Sequence, residues 1–170
     1  MKPPLNTYPP YFHTYIKLVA EDDVQLAIKN QAVVAEDFFN LITEEQSTYK
    51  YAEGKWSIKE VLQHVIDAER IFAYRSLTFA RKDNNTLPSF DEKNYAANSN
   101  GNTRAWHELV EEFKALRKST ELLFNSFTKE NLNAIGKASD YTITVLALGY
   151  IIVGHVAHHM NIIRERYLAI

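Results

Sequence analysis

The chain has 170 residues, of which 46% are hydrophobic, 12% aromatic and 24% charged, and its formal net charge is −2. This composition is typical of one globular domain with a substantial core and argues against a disordered protein. The chain has no excess of basic residues that would indicate nucleic-acid binding. Its uninterrupted apolar runs are all shorter than the roughly 18 residues of a membrane span, and residues 1–10 do not resemble a secretory signal. We therefore expect a cytoplasmic protein that binds neither nucleic acid nor membrane.

Residues 1–20 are predicted to form an irregular segment that packs its aromatic side chains on the rest of the molecule. Four prolines in its first ten residues oppose a regular helix there. Residues 21–170 are predicted to form a helical domain. Its first helix should begin after Asp22–Asp23, whose side chains can cap free N–H groups, and end near 41–45.

The second predicted helix has the clearest start. Ser57 is an N-cap candidate, and Glu60 three residues later completes a capping box. The apolar stripe fades near residues 79–81, and a polar stretch over 81–102 follows. A connection of that length either crosses from one end of a bundle to the other or builds the mouth of a site.

The third helix is predicted from about Thr103 to Phe127, and the fourth from near Thr142 to about Leu168. The first half of the fourth is almost continuously apolar, which is typical of a central helix. Gly149 and Gly154 within it indicate close approach of neighbours. Four such helices without a strand pattern predict an all-α four-helix bundle.

The chain has no cysteine, which excludes thiolate ligands and a cysteine nucleophile. Its histidines are therefore the main candidates for metal ligands. His155 and His159 lie one helical turn apart and can point at one metal ion. His64, in an apolar stretch of the second helix, would supply a third imidazole. His158 rivals His159 on spacing alone, and histidines that merely pack in the core are the alternative to a metal site.

Further residues have two interpretations each. Asp67 either orients a ligand imidazole or pairs with Arg70 at the surface. Trp56 and Phe90 either wall a pocket over the metal or, for Trp56, pack on Val61 as a hydrophobic staple.

Arg75 and Arg166 each follow a candidate ligand by eleven residues, roughly 16 Å along a helix. We expect them to make structural ion pairs at the end of the bundle. An anion-binding role for Arg75 is the less favoured alternative.

Residues 55–70 resemble the W-S-x-x-E-x-x-x-H segment of the DinB-like superfamily, which includes bacterial thiol S-transferases and maleylpyruvate isomerases. Residues 74–77 with 87–92 look like the arginine and following loop of that family, and residues 154–159 with 164–167 look like its last helix. The resemblance extends over roughly residues 20–168.

This resemblance implies an up-down-down-up four-helix bundle that is usually a homodimer. It also implies a divalent ion, nickel or zinc, held by His64, His155 and His159, with His158 beside the ligand set. Because ligand imidazoles must be unprotonated, occupancy should fall as the pH drops through the histidine range near 6.5.

Two enzymatic functions and one non-enzymatic function follow. The first is transfer of a low-molecular-weight thiol onto a small-molecule substrate, where the thiol must come from a cofactor because the chain has no cysteine. The second is metal-dependent hydrolysis by an activated water. The third is a metal- or ligand-binding bundle that serves in stress responses without catalysis.

Overall fold

The computed structural model describes residues 1–168, so the last two residues of the predicted domain, 169 and 170, lie outside the described range. The α-helices in that range are α1 (His13–Ile16), α2 (Val24–Asn40), α3 (Glu44–Ser47), α4 (Ile58–Ala80), α5 (Glu92–Asn98), α6 (Trp106–Asn125), α7 (Lys129–Asn133) and α8 (Val145–Ile162). A π-helical segment, Ile163–Leu168, extends α8. Strands β1 (Ile135–Ala138) and β2 (Tyr141–Thr144) form an antiparallel hairpin.

The long helices α2 and α6 are antiparallel. Gln25, at the start of α2, donates to the carbonyl of Phe124 at the end of α6. The indole of Trp106, at the start of α6, donates to the carbonyl of Phe39 near the end of α2. Each end of one helix therefore lies against the opposite end of the other.

Helix α4 runs parallel to α6. Lys59, in the first turn of α4, donates to the carbonyl of Arg104 just before α6. Further along both helices, Arg117 donates from Nε and from a terminal nitrogen to the carboxylate of Glu69, at 3.0 and 2.7 Å. Both side chains of this pair are only 2% exposed.

Helix α4 runs antiparallel to α8. The carbonyl of Trp56, just before α4, accepts from the hydroxyl of Tyr167 beyond α8. At the other end, Arg75 donates to the hydroxyl of Tyr141 ahead of α8. The four long helices thus have the up-down-down-up arrangement that the sequence resemblance implies, and residues 81–105 make the crossover between the parallel helices α4 and α6.

The predicted helix starts at α2 and α4 are confirmed. The Asp23 carboxylate accepts from the Leu26 N–H. Ser57 accepts from the Glu60 N–H while the Glu60 carboxylate accepts from the Ser57 N–H, which is a complete capping box.

The sequence shows no strand pattern and predicts little or no strand; the structure adds one short antiparallel hairpin over residues 135–144. Thr142, Ile143 and Thr144 are β-branched and fit a pleated strand better than a first helical turn. Gly136 lies directly against the ring of Phe79, where a Cβ atom would come within 1.9 Å of a ring carbon. The fourth helix accordingly begins at Val145, with Thr144 as its cap.

Residues 1–20 pack on the bundle through the buried side chains of Tyr8, Phe12 and Ile16. At Gly154 a Cβ atom would lie 2.2 Å from the carbonyl oxygen of Tyr15, so only glycine allows this segment to reach α8. The close approach predicted at Gly154 is therefore confirmed, and the neighbour is the N-terminal segment.

Helix α8 with its extension, Val145–Leu168, is long and apolar enough for a membrane span by length and composition, with a mean hydropathy of 1.4 over 18 residues. The sequence interpretation did not anticipate this. In the fold, 67% of that window is buried, as befits the central helix of a bundle.

Candidate metal centre

Three histidines meet where α4 packs against α8. His64 lies in the second turn of α4, which the Ser57 cap holds in register. His155 and His159 lie one turn apart on α8 and present their rings to the same side. Because α4 and α8 are antiparallel neighbours, all three imidazoles reach the space between them.

The three Nε2 atoms converge. Nε2 of His155 lies 3.1 Å from Nε2 of His64 and 3.1 Å from Nε2 of His159. All three ligand atoms lie within 4.8 Å of one another. Nitrogen ligands at 2.0–2.1 Å from a tetrahedral ion are about 3.3 Å apart, so this set fits a divalent metal.

The site favours neutral imidazoles, the form that binds metals. Burial lowers the pKa of His64 to about 4. Burial, and then the neighbouring imidazoles, hold the pKa values of His155 and His159 well below their usual range. The group therefore offers three lone pairs and no charge of its own near neutral pH.

Aromatic rings hold two of these imidazoles in place. The indole of Trp56 lies 5.0 Å from the His64 ring. Tyr15 and Phe72 meet the His155 ring edge-on, at 5.2 and 6.2 Å between centroids. Packing of this kind fixes ring orientation and limits access of water.

His158 lies outside the converging group. Its ring packs edge-on against Tyr15, at 5.2 Å, and against His159, at 5.1 Å. The spacing of the histidines in the sequence allows either His158 or His159 as the third ligand. In the structure it is His159 that lies with His64 and His155.

Asp67 does not orient a ligand imidazole in this structure. Its carboxylate accepts from the Gln63 amide at 3.0 Å and lies 3.9 Å from Arg70. The interpretation as a carboxylate pairing with Arg70 is therefore the one that the structure supports.

Two cavities flank the histidines. The first, here the Arg75 cavity, has a volume of about 320 Å³. Its lining is His64, His155, Tyr11, Phe12, Tyr15, Ala68, Phe72, Arg75, Ser89, Phe90, Glu92, Ser139 and Tyr141. The second, here the Trp56 cavity, has a volume of about 540 Å³ and is lined by Tyr51, Gly54, Lys55, Trp56, Val61, Lys93, His159, Ile162 and Tyr167. Phe90 lines the Arg75 cavity and Trp56 lines the Trp56 cavity, so the two side chains lie at different cavities and do not wall one common pocket.

The predicted ion pairs of Arg75 and Arg166 are wrong. Within residues 1–168, no carboxylate oxygen lies within 4 Å of either guanidinium. Arg166 contacts the hydroxyl of Tyr51 at 3.3 Å near the bundle surface. Arg75 instead lines the cavity, because α4 turns it to the same side as His64.

Sequence reasoning missed several cavity residues. Tyr11, Phe12 and Tyr15 come from the N-terminal segment, and Ser139 comes from the hairpin turn. The aromatic residues that follow the early prolines indicated packing, but no periodicity assigned them to a site. Their positions depend on contacts between distant parts of the chain.

Comparison with known proteins agrees with this architecture. The model of the DinB superfamily matches residues 28–163. No curated protein matches the chain significantly. Among solved structures, YfiT from Bacillus subtilis is similar with a TM-score of 0.68 at 20% identity, and the match covers 99% of this chain and 93% of that one. YfiT is described as a probable metal-dependent hydrolase with an unusual four-helix bundle topology.

Proposed function

Because the chain belongs to the DinB superfamily, we propose that it is a metal-dependent hydrolase whose divalent ion is held by His64, His155 and His159. The convergence of the three Nε2 atoms, with His64 and His155 in the wall of the Arg75 cavity, carries this proposal. The description of YfiT as a metal-dependent hydrolase supports it.

The donor set determines what such an ion could do. When bound, a divalent ion supplies Lewis-acid chemistry, since it lowers the pKa of a water or thiol and polarises a carbonyl or phosphoryl oxygen. Three neutral nitrogen ligands leave its full charge available for that purpose. A three-histidine set also leaves positions for water and substrate.

The surrounding residues have separate tasks. His64 and His155 line the Arg75 cavity and so join the metal site to the space for a substrate. Burial, and then the charge of Glu92, raise the pKa of Tyr15, whose hydroxyl therefore stays protonated and can donate to a substrate oxygen. Phe72 and Trp56 keep the rings oriented.

The test combines metal analysis with hydrolysis. The purified protein is analysed for bound metals, stripped with a chelator, reloaded separately with nickel or zinc, and assayed on a panel of esters, amides and phosphate esters. We expect hydrolysis that disappears with the chelator and returns with the metal. Metal binding without turnover of any substrate would favour the non-enzymatic bundle instead.

His155→Ala and His158→Ala form a matched pair for this test. His155→Ala should abolish metal binding at micromolar concentrations and with it the hydrolysis, while His158→Ala should weaken binding much less. Both variants should keep the helical circular dichroism spectrum, because the apolar core builds the bundle. Loss of metal from His158→Ala with retention in His159→Ala would contradict the ligand assignment.

Thiol transfer is a second candidate, and the two cavities favour it. The Arg75 cavity contains His64 and His155 in its wall, whereas His159 lines the Trp56 cavity. A reaction of two substrates could use one cavity for the thiol cofactor and the other for the electrophile. Metal-dependent consumption of cysteine, glutathione or coenzyme A with 1-chloro-2,4-dinitrobenzene would support transfer, and its absence would leave hydrolysis.

The homodimer implied by the sequence resemblance stays a prediction. Light scattering at micromolar concentration should give twice the 19.6 kDa mass of the chain. A mass equal to one chain would contradict it.

A further inference from the structure

Arg75 is a buried cation without a counter-ion among the described residues. Its relative exposure is 3%. One terminal nitrogen donates to the Pro88 carbonyl at 2.8 Å, and the other donates to the Tyr141 hydroxyl at 3.2 Å. Both acceptors are neutral, so they satisfy hydrogen bonds and leave the charge uncompensated.

An uncompensated buried charge is costly, and proteins normally pair it or neutralise it. Arg117, which is equally buried, donates to both carboxylate oxygens of Glu69. A guanidinium has five N–H donors, and the two contacts of Arg75 leave donors free beside a cavity that Arg75 itself lines. The natural complement of that arrangement is an anionic group of a ligand in the cavity.

The cavity follows helix α4 for three turns. His64, Ala68, Phe72 and Arg75 line it in that order. The α4 positions between the two polar ends are apolar. The Cα atoms of the two end residues lie roughly 16 Å apart along the axis, and the arginine side chain tilts back toward His64. An extended molecule with an apolar middle fits this layout.

We propose that the Arg75 cavity takes an extended substrate with an apolar middle, whose carboxylate binds Arg75 and whose scissile bond lies beside the histidines. The substrate assignment rests on the proposed hydrolase function, whereas the anion site rests on Arg75 alone. One guanidinium matches one carboxylate, and Glu92, exposed at the rim, disfavours a dianion such as phosphate.

Hydroxyl groups complete the anion site. The Tyr141 oxygen accepts from Arg75, and the hydroxyls of Tyr141 and Tyr11 meet at the cavity wall, so one proton of this pair remains for donation to a carboxylate. Ser89 and Ser139 also line this cavity and add donors. The site thus combines one buried charge with neutral donors, an arrangement suited to binding a single negative charge.

The anion site is tested by measuring binding to metal-free protein. Without a metal ion, the carboxylate of the probe cannot bind at the histidines through the metal. The probes are 3-phenylpropionate, 4-phenylbutyrate and 5-phenylvalerate, each compared with its neutral amide by isothermal titration calorimetry. At least one carboxylate should bind roughly tenfold or more tightly than its amide. The proposal is overturned if no acid binds more tightly than its amide.

Variants locate the binding. Arg75→Gln should remove the preference for the carboxylate, and Arg75→Lys should restore part of it. Arg81→Gln, at an exposed arginine just beyond α4, is the matched control and should leave the preference intact. Glu92→Gln should leave carboxylate affinity equal or higher. Retained preference in a folded Arg75→Gln, or a loss in Arg81→Gln of the same size, would contradict the site.

The anion site and the hydrolase function can fail independently of each other. If carboxylates bind at Arg75 but no metal-dependent hydrolysis occurs, the hydrolase proposal fails and the anion site stands. If hydrolysis occurs and the protein cleaves neutral and carboxylate-bearing esters equally well, the substrate assignment fails and the hydrolase proposal stands.

Discussion

Helix α4 carries polar side chains on two faces, and the two faces differ in how their charges are balanced. Toward α6, Glu69 and Arg117 form a bidentate pair in which both side chains are 2% exposed. Toward α8, three neutral imidazoles meet one another, and Arg75 has only neutral acceptors within the described residues. The buried charge on the α6 side is compensated within the chain, whereas the charge of Arg75 on the α8 side is not compensated among the described residues.

This difference distinguishes buried polar groups that stabilise the fold from buried polar groups that are available to a ligand. Burying a polar or charged group is tolerable when its partners lie in the same fold, as they do for Glu69 and Arg117. Groups left without such partners lower stability unless a ligand supplies them. The unsatisfied face is therefore where a metal and a substrate anion are expected.

The largest effect on stability is expected on the α6 side. Glu69→Leu leaves Arg117 buried without its counter-ion, so the free energy of unfolding should fall by about 3–5 kcal/mol. Chemical denaturation of the metal-free protein measures this. A loss below about 1 kcal/mol would show that the pair is not the structural element proposed, and the comparison of the two faces would not hold.

A smaller effect is expected from pH on the α8 side. The pKa of His64 is lowered to about 4, while an unfolded histidine titrates near 6.5. Between these values the unfolded state binds more protons, so stability is lost as the pH falls from about 6.5 toward 4. His64 alone should cost roughly 2 kcal/mol between pH 7 and pH 5.

His155 and His159 should add to this loss, because burial and the other imidazoles lower their pKa values as well. Arg117 and His158 act in the same direction on His155. Denaturation of chelator-treated protein at pH 5 and pH 7 measures the effect, with His64→Gln expected to reduce it. Equal stability at both pH values would contradict neutral burial of the three rings.

The parts of this site that the sequence predicted are those with local signals. The capping box at Ser57 sets the start of α4 and hence the direction of His64, and the spacing of His155 and His159 places both on one face of α8. The choice of His159 over His158 came from the family resemblance, since spacing alone allowed either.

The parts that were missed depend on tertiary contacts. Asp67 turns toward Gln63 and not toward a ligand, and the hairpin over 135–144 forms where Gly136 packs on Phe79. Arg75 was expected to find a carboxylate, and nothing in its neighbours along the chain indicated that the crossover would supply the Pro88 carbonyl. Such contacts require the position of one helix relative to a distant loop.

The smallest effect on stability is expected at Arg75 itself. Arg75→Met removes two hydrogen bonds to neutral acceptors, each a contribution of about 1 kcal/mol, but it also removes an uncompensated buried charge. These terms oppose each other, so the free energy of unfolding should change by less than about 1 kcal/mol. The same substitution at Arg117 strands Glu69 and should cost about 3–5 kcal/mol. Equal losses in the free energy of unfolding of the two variants would mean that Arg75 has a structural role. A difference of at least about 2 kcal/mol would show that these two equally buried arginines, on neighbouring helices, have different roles.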